Sequence, residues 1–198
     1  VGEAIKASGI AREELFITTK VWNADQGYDN TLKAFEVSLK KLGLDYVDLY
    51  LTHWPKPQLV DTYKAIERLY EEKLIRVPGV SNHHEHHLEE IFATCNVKPI
   101  VNQIECHPSL SQDALRAFCA EHNIAVTAWA PLGTGIVFTH PVVKQLAEKY
   151  SKTPAQIVLR WHLEIGNIVI PKSITPERIV ENLAIFDLTL QADEVSAI

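Results

Sequence analysis

One kind of position recurs in this 198-residue sequence: the carboxyl end of a short apolar stretch, where a residue able to do chemistry stands. Residues 47–52 form such a stretch, and His53 follows it, ahead of Trp54 and Pro55. Lys20 lies near the end of 15–21, Ser81 and Asn82 close 75–80, and Gln103 sits within 100–104. Trp129 closes 124–129, and Lys172 follows 167–170. His53 shares the phase of Val47, Leu49 and Leu51, so it points into a core or a pocket mouth. A structural histidine bound to a carbonyl fits that position, and so does a general acid or base. Lys20 shares its phase with Thr18 and Phe16. Pointing inward it must be paired or serve a ligand, because an unpaired buried ammonium is costly; pointing outward it is a surface lysine.

The elements that must position these residues alternate. The apolar stretches are rich in β-branched and aromatic residues and read as strands. Helical patterns separate them. Residues 28–42 carry the stripe Leu32, Phe35, Leu39 and Leu42 and stop at Gly43. Residues 59–74 turn Tyr63, Ile66, Leu69 and Tyr70 inward. Ser111 is the expected N-cap of a helix through Glu121. Thr153-Pro154 and Thr175-Pro176 each place proline at a first helical position. Pro78 and Gly79 predict an irregular strand at 75–80, because proline lacks a ladder donor. Alternating β and α units predict a parallel sheet with helices outside. The fold class expected is α/β, a (β/α)8 TIM barrel with about six βα units present, as a single domain over 1–198. In such barrels the chemistry sits at the carboxyl ends of the strands.

Two further clusters invite a site. Residues 83–87 hold four histidines, with His83 and His87 at i, i+4. No carboxylate or cysteine set matches them, so they are expected as the exposed first turn of a helix at 85–93, and no metal is expected. Pro171 to Arg178 joins the last strand to a helix start. Lys172, Ser173 and Arg178 there supply two cations and a hydroxyl beside unpaired N–H groups, an arrangement suited to phosphate. The loop 131–140, with Gly133 and Gly135, is a weaker candidate for phosphate approach.

The net charge of −6 argues against nucleic acid as a partner. No apolar run reaches membrane-spanning length, and no signal peptide is visible. Cys95, Cys106 and Cys119 show no metal-type spacing, and reduced thiols in the cytoplasm are the expectation. The sequence has no methionine, starts within a helical pattern and stops just after another begins. It reads as a piece cut from a longer chain.

Several stretches together resemble the aldo-keto reductases, the aldose, aldehyde and xylose reductase-like enzymes. They are Ile17-Thr18-Thr19-Lys20, Tyr46 to Pro55, Gly79-Val80-Ser81-Asn82, Val101-Asn102-Gln103-Ile104-Glu105-Cys106-His107-Pro108 and Ile170-Pro171-Lys172-Ser173, in order over essentially the whole chain. The resemblance implies a barrel that reduces aldehydes and ketones to alcohols with NADP(H) and has no Rossmann domain. It makes Lys20 and His53 catalytic. A tyrosine donates the proton in the family, tuned by a lysine–aspartate pair, since a nearby ammonium favours phenolate. His53 and Trp22 would meet the substrate carbonyl. Ser81, Asn82 and Gln103 would hold the nicotinamide carboxamide, and Trp129 would stack on the ring. Leu132 and Gly133 would lie beside the pyrophosphate. Lys172, Ser173 and Arg178 would hold the 2′-phosphate, with Glu181 and Asn182 near the adenine.

Three residues depart from the family pattern: Trp129 for a tyrosine, Ala130 for a serine and His83 for a phenylalanine. The family's aspartate and tyrosine are expected upstream of residue 1, so residues 1–198 alone are expected to bind NADPH weakly and not to turn over. A monomer or weak dimer is expected of the whole protein. Two other readings stay open: a cofactor-binding interaction subunit of the same fold, and a phosphate-binding barrel isomerase or lyase with Lys20 as Schiff base.

Overall fold

A computed structural model describes residues 1–198, in two compact units, Val1–Asn102 and Gln103–Ile198. The first unit opens with α1 (Gly2–Ser8), closed by Gly9 in the left-handed region, and continues β1 (Thr18–Val21), α2 (Tyr28–Leu42), β2 (Val47–Thr52), α3 (Leu59–Glu71), β3 (Ile75–Ser81) and α4 (Glu85–Phe92). Strand β4 (Val101–Glu105) leads into the second unit, which holds α5 (Asp113–Glu121), β5 (Ala125–Trp129), α6 (Pro141–Tyr150), α7 (Pro154–Glu164), β6 (Ile168–Val169), α8 (Pro176–Leu183) and α9 (Ala192–Ala197). No helix is long and apolar enough to cross a membrane.

In the first unit β1, β2 and β3 pair in parallel in chain order, with Lys20 opposite Leu51 and Thr52 opposite Val80. All six residues of β2 are buried, not one face in two, because a central parallel strand is covered on both sides. That burial takes in Asp48, whose side chain has no exposure. Arg12 Nη2 and Arg76 Nη1 reach its carboxylate at 2.8 and 2.9 Å, and the Ile17 N–H donates to it at 2.8 Å. Three donors hold the carboxyl below its usual range against the opposing effect of burial. Because the Ile17 amide is spent on a side chain, β1 begins only at Thr18, later than the expected residue 15.

Pro78 does not interrupt β3, contrary to expectation. Tyr50 stands opposite Pro78 in the ladder, and the Pro78 carbonyl accepts from Ile100 N–H at 3.0 Å. In a strand a residue's N–H and C=O point to the same side. The missing donor of Pro78 therefore faces Ile100, just ahead of β4, and the β2 ladder keeps its bonds. Gly79 is dictated by close approach: a Cβ there would lie 2.6 Å from Leu51 Cδ2 and 2.9 Å from the Val101 carbonyl oxygen.

In the second unit β5 and β6 pair in parallel, with Thr127 opposite Ile168. Its core gathers Val143 and Leu146 of α6, Ile157, Leu159 and Trp161 of α7, and Ile185, Leu188 and Leu190 of the closing segment. Helix α7 starts at a capping box: Thr153 Oγ1 accepts from Gln156 N–H, and the Gln156 side chain accepts from Thr153 N–H at 3.0 Å. The cap of α5 is Gln112, in the left-handed region at φ 55°, and not Ser111. The Ser111 hydroxyl instead donates to Asp113 Oδ2 at 3.0 Å.

Candidate active site

The first unit brings Lys20, Trp22, His53, Ser81 and Asn82 to strand ends that pair or follow one another. Lys20 stands on β1, half-buried, and makes no ion pair. Burial lowers its pKa. His53 extends β2 by one hydrogen bond, its N–H donating to the Val21 carbonyl at 3.3 Å. Its pKa is lowered by burial and then by the charge of Lys20. The imidazole is thus held neutral, able to donate or accept one hydrogen bond at a carbonyl oxygen. The Trp22 ring meets the His53 ring edge-on, centroids 4.8 Å apart.

Two amides fix the backbone around His53. Asn82 Nδ2 donates to the His53 carbonyl at 2.9 Å and to Ser81 Oγ at 3.2 Å. Asn82 takes φ 64°, which asparagine tolerates better than most residues. Gln26, 5% exposed, donates through Nε2 to the Trp54 carbonyl at 2.8 Å. Gln26 escaped the sequence reading, because nothing in its neighbourhood announces a partner 28 residues away.

His83 corrects the expectation for the histidine cluster: it is buried, not exposed. Its Nδ1 lies 2.8 Å from the Ser81 carbonyl and its Nε2 3.4 Å from Thr52 Oγ1. Asn102 Nδ2 donates to its carbonyl at 2.8 Å. Burial lowers its pKa to about 3, so it is a neutral strut beneath Ser81. His84 caps α4, and its N–H donates to His87 Nδ1 at 3.1 Å. No three His, Cys, Asp or Glu side chains are grouped to hold a metal ion.

In the second unit Leu132, Lys172, Ser173, Arg178, Glu181 and Asn182 line one pocket of about 320 Å³. The sequence had proposed all six for the cofactor. The structure adds Phe138 and the start of α7, Thr153 to Ala155. Lys172 and Arg178 have no acidic partner and no hydrogen bond. Glu181 is held from the α7 cap, Thr153 Oγ1 donating to its Oε1 at 2.6 Å. Ser173 Oγ accepts from Thr175 N–H at 3.1 Å ahead of α8. Two free cations beside a helix start, with Leu132, Phe138 and Pro154 as an apolar wall, suit a ligand with a flat ring and a phosphate. The adenosine 2′-phosphate part of NADP(H) has that chemistry, so the residues present fit it.

Ser81 and Asn82 aside, the other proposed cofactor residues lie elsewhere in this unit. Gln103 is buried on β4, and Trp129 is half-buried at the end of β5. Gly133 is buried at φ 50°, and a Cβ there would come within 3.2 Å of the His107 ring. The loop after β5 is a 3₁₀ segment, Gly133–Thr139, kinked at Thr134 and Gly135.

Parallel βα units with polar groups at their strand ends and a pocket with two unpartnered cations at the last loop are compatible with a barrel-type oxidoreductase and with a phosphate-binding barrel enzyme. The comparisons decide between these: the family model for the aldo/keto reductase family matches residues 1–198. The chain is 52% identical to the 9,11-endoperoxide prostaglandin H2 reductase of Trypanosoma cruzi, over all of this chain and 71% of that one. It is also 52% identical to the glyoxal reductase of Bacillus subtilis, over all of this chain and 72% of that one. A mutant of Gox0644 solved in complex with NADPH superposes with a TM-score of 0.95 at 47% identity, over all of this chain and 72% of that one. The chain belongs to the aldo/keto reductase family. The expected fold class is borne out: these are six βα units of the family's (β/α)8 barrel.

Proposed function

We propose that the protein reduces an aldehyde or ketone to an alcohol with NADPH. NADPH, when bound, supplies a hydride to the carbonyl carbon. The proton that completes the alcohol comes from the tyrosine that the family resemblance places outside residues 1–198, and the residues of this chain supply binding, orientation and a hydrogen bond to the carbonyl oxygen. In the first unit the neutral His53 imidazole hydrogen-bonds that oxygen, and Trp22 walls the approach. Lys20 keeps positive potential at the oxygen where negative charge develops. Ser81 and Asn82 hold the nicotinamide carboxamide. In the second unit Lys172, Ser173 and Arg178 take the 2′-phosphate, Glu181 and Asn182 face the adenine, and Leu132 and Gly133 lie along the pyrophosphate.

The observation that carries the reading is the pair of unpartnered cations in the second-unit pocket. A 2′-phosphate is what separates NADPH from NADH. Charge-assisted hydrogen bonds contribute roughly 1.5–3 kcal/mol each, less where solvent reaches them. Lys172→Ala with Arg178→Ala should therefore raise the Kd for NADPH by about 100-fold and leave that for NADH within about threefold. An equal loss for both cofactors would remove the assignment. The glyoxal reductase relative supports a small aldehyde as the first substrate to assay.

A further inference from the structure

The segment after β5 is held in an unfavoured shape. Ala130 takes φ 47°, Gly133 φ 50°, Thr134 φ 54° and Gly135 φ 92°. Alanine and threonine avoid that region, because Cβ crowds the following carbonyl. Local turns help, with Gly133 N–H donating to the Ala130 carbonyl and Gly135 N–H to the Leu132 carbonyl, both at 2.8 Å. The turn still needs a tie to something rigid.

That tie comes from α7. His162, fully buried near its carboxyl end, places Nε2 3.0 Å from the Pro131 carbonyl oxygen. A carbonyl can only accept, so the ring proton is on Nε2. The far side of the ring agrees. Asn167 Nδ2 lies 3.2 Å from His162 Nδ1 and 3.4 Å from Cys106 Sγ. Its two hydrogens serve these two acceptors, and the Cys106 thiol passes its own proton to the Ser111 carbonyl at 3.4 Å. The bonds run outward from the Asn167 amide on both sides, and only one His162 tautomer fits them. A second proton on Nδ1 would face the Asn167 donors, and the His162 pKa is lowered to about 4, first by burial. The same helix grips the other side of the pocket, where its cap Thr153 holds Glu181.

We propose that His162 is a positioning residue for the cofactor: its Nε2–H, oriented by Asn167 and Cys106, fixes the Pro131 carbonyl and thereby sets the Leu132–Gly133 backbone along the pyrophosphate. This rests on the cofactor reading above. It makes the affinity for a pyrophosphate-bearing ligand depend on a buried neutral histidine that touches no ligand.

The test uses the protein that carries these residues and two probes. NADPH carries the pyrophosphate, and adenosine 2′-monophosphate fills the same Lys172–Arg178 pocket without one. A buried carbonyl left without its donor costs enough that His162→Phe should weaken NADPH about 10-fold or more, with adenosine 2′-monophosphate within about twofold. His162→Gln keeps an N–H near Nε2 and should recover most of the loss. Long-range ¹H–¹⁵N spectra of the unmutated chain should show His162 as the neutral Nε2–H tautomer at pH 7; this needs no variant to fold. A Nδ1–H tautomer, equal weakening of both probes, or a Gln variant as weak as Phe would each overturn the proposal. Wild-type binding of NADPH with no loss in His162→Phe overturns it while leaving the cofactor reading standing. Wild type that binds neither probe overturns the cofactor reading and, with it, the proposal built on it.

Discussion

In the first unit the strand that ends in His53 is anchored by charge: Asp48, buried, gathers Arg12, Arg76 and the Ile17 amide. In the second unit the loop that ends in Gly133 is anchored by neutral groups: His162 donates to the Pro131 carbonyl, and Asn167 donates both to the far side of that ring and to Cys106, whose thiol donates to the Ser111 carbonyl. The same difference, inverted, holds at the surfaces these anchors support. His53 is kept neutral, suited to a carbonyl oxygen. The pocket above α8 keeps two cations unpartnered, suited to a phosphate. A charged anchor under a neutral reactive group keeps the charges committed to each other and away from the reacting atoms. A neutral anchor beside a cationic pocket leaves the cations free for a ligand.

Breaking the charged anchor should have the largest structural effect. Asp48→Asn leaves two guanidinium groups short of a charge partner; removing one member of a fully buried ion pair costs about 3–5 kcal/mol, and the cost here is lower because solvent reaches Arg76, 59% exposed, and in part Arg12, 20% exposed. Native-state hydrogen exchange should show β1, β2 and β3 losing protection, with β5 and α7 unchanged at the same denaturant concentration. Equal loss in both units would show that Asp48 is not a local anchor.

Acid separates the two anchors by window. His83 and His162 have folded pKa values below the unfolded value of about 6.5, at about 3 and about 4. The unfolded chain therefore binds more protons, and stability falls as pH drops below about 6.5, by at most about 1.4 kcal/mol per pH unit per histidine. That loss should continue to about pH 4 for the second unit and lower for the first. Asp48, depressed below the usual carboxylate range, keeps its full contribution above the unfolded value of about 3.9 and loses it as pH falls from there toward its folded value. Urea titrations between pH 8 and pH 4 should show this slope; a flat profile would mean that neither histidine is buried neutral.

Thr153→Val should have the smallest effect. It removes a helix cap, worth about 1 kcal/mol, and frees Glu181. Binding of adenosine 2′-monophosphate, read by calorimetry, should weaken a few-fold, with the first unit's exchange pattern unchanged.

These contrasts also show what was legible in the sequence. Lys20, His53 and Lys172 could be read, because a chemistry-bearing residue at the end of an aliphatic strand is a local signal. The second-unit pocket could be read for the same reason, its cations flanking a Thr-Pro helix start. Asp48 stood in plain view inside an apolar run, but its partners are 36 and 28 residues away. Cys106 and Asn167 are 61 residues apart, and neither announces the other. His83 looked like its exposed neighbours, and only the packing beneath Ser81 makes it a core residue. Sequence periodicity reports which face a residue takes; it does not report which polar groups meet inside.

The central proposal is that the carbonyl chemistry, with the nicotinamide grip of Ser81 and Asn82, rests on the first unit and that recognition of the 2′-phosphate rests on the second. Its most direct test is a matched pair of variants in the protein that carries these residues, His53→Ala and Lys172→Ala with Arg178→Ala. Stopped-flow NADPH oxidation with glyoxal gives the hydride-transfer rate, and fluorescence titration gives the NADPH Kd. His53→Ala should slow transfer by about 10²–10⁴-fold, the range for a positioned acid–base group, with the Kd unchanged. The cation pair should raise the Kd and leave the rate at saturating NADPH within a few-fold. Transfer unaffected by loss of His53, or an equal effect of both changes on both quantities, would contradict the division.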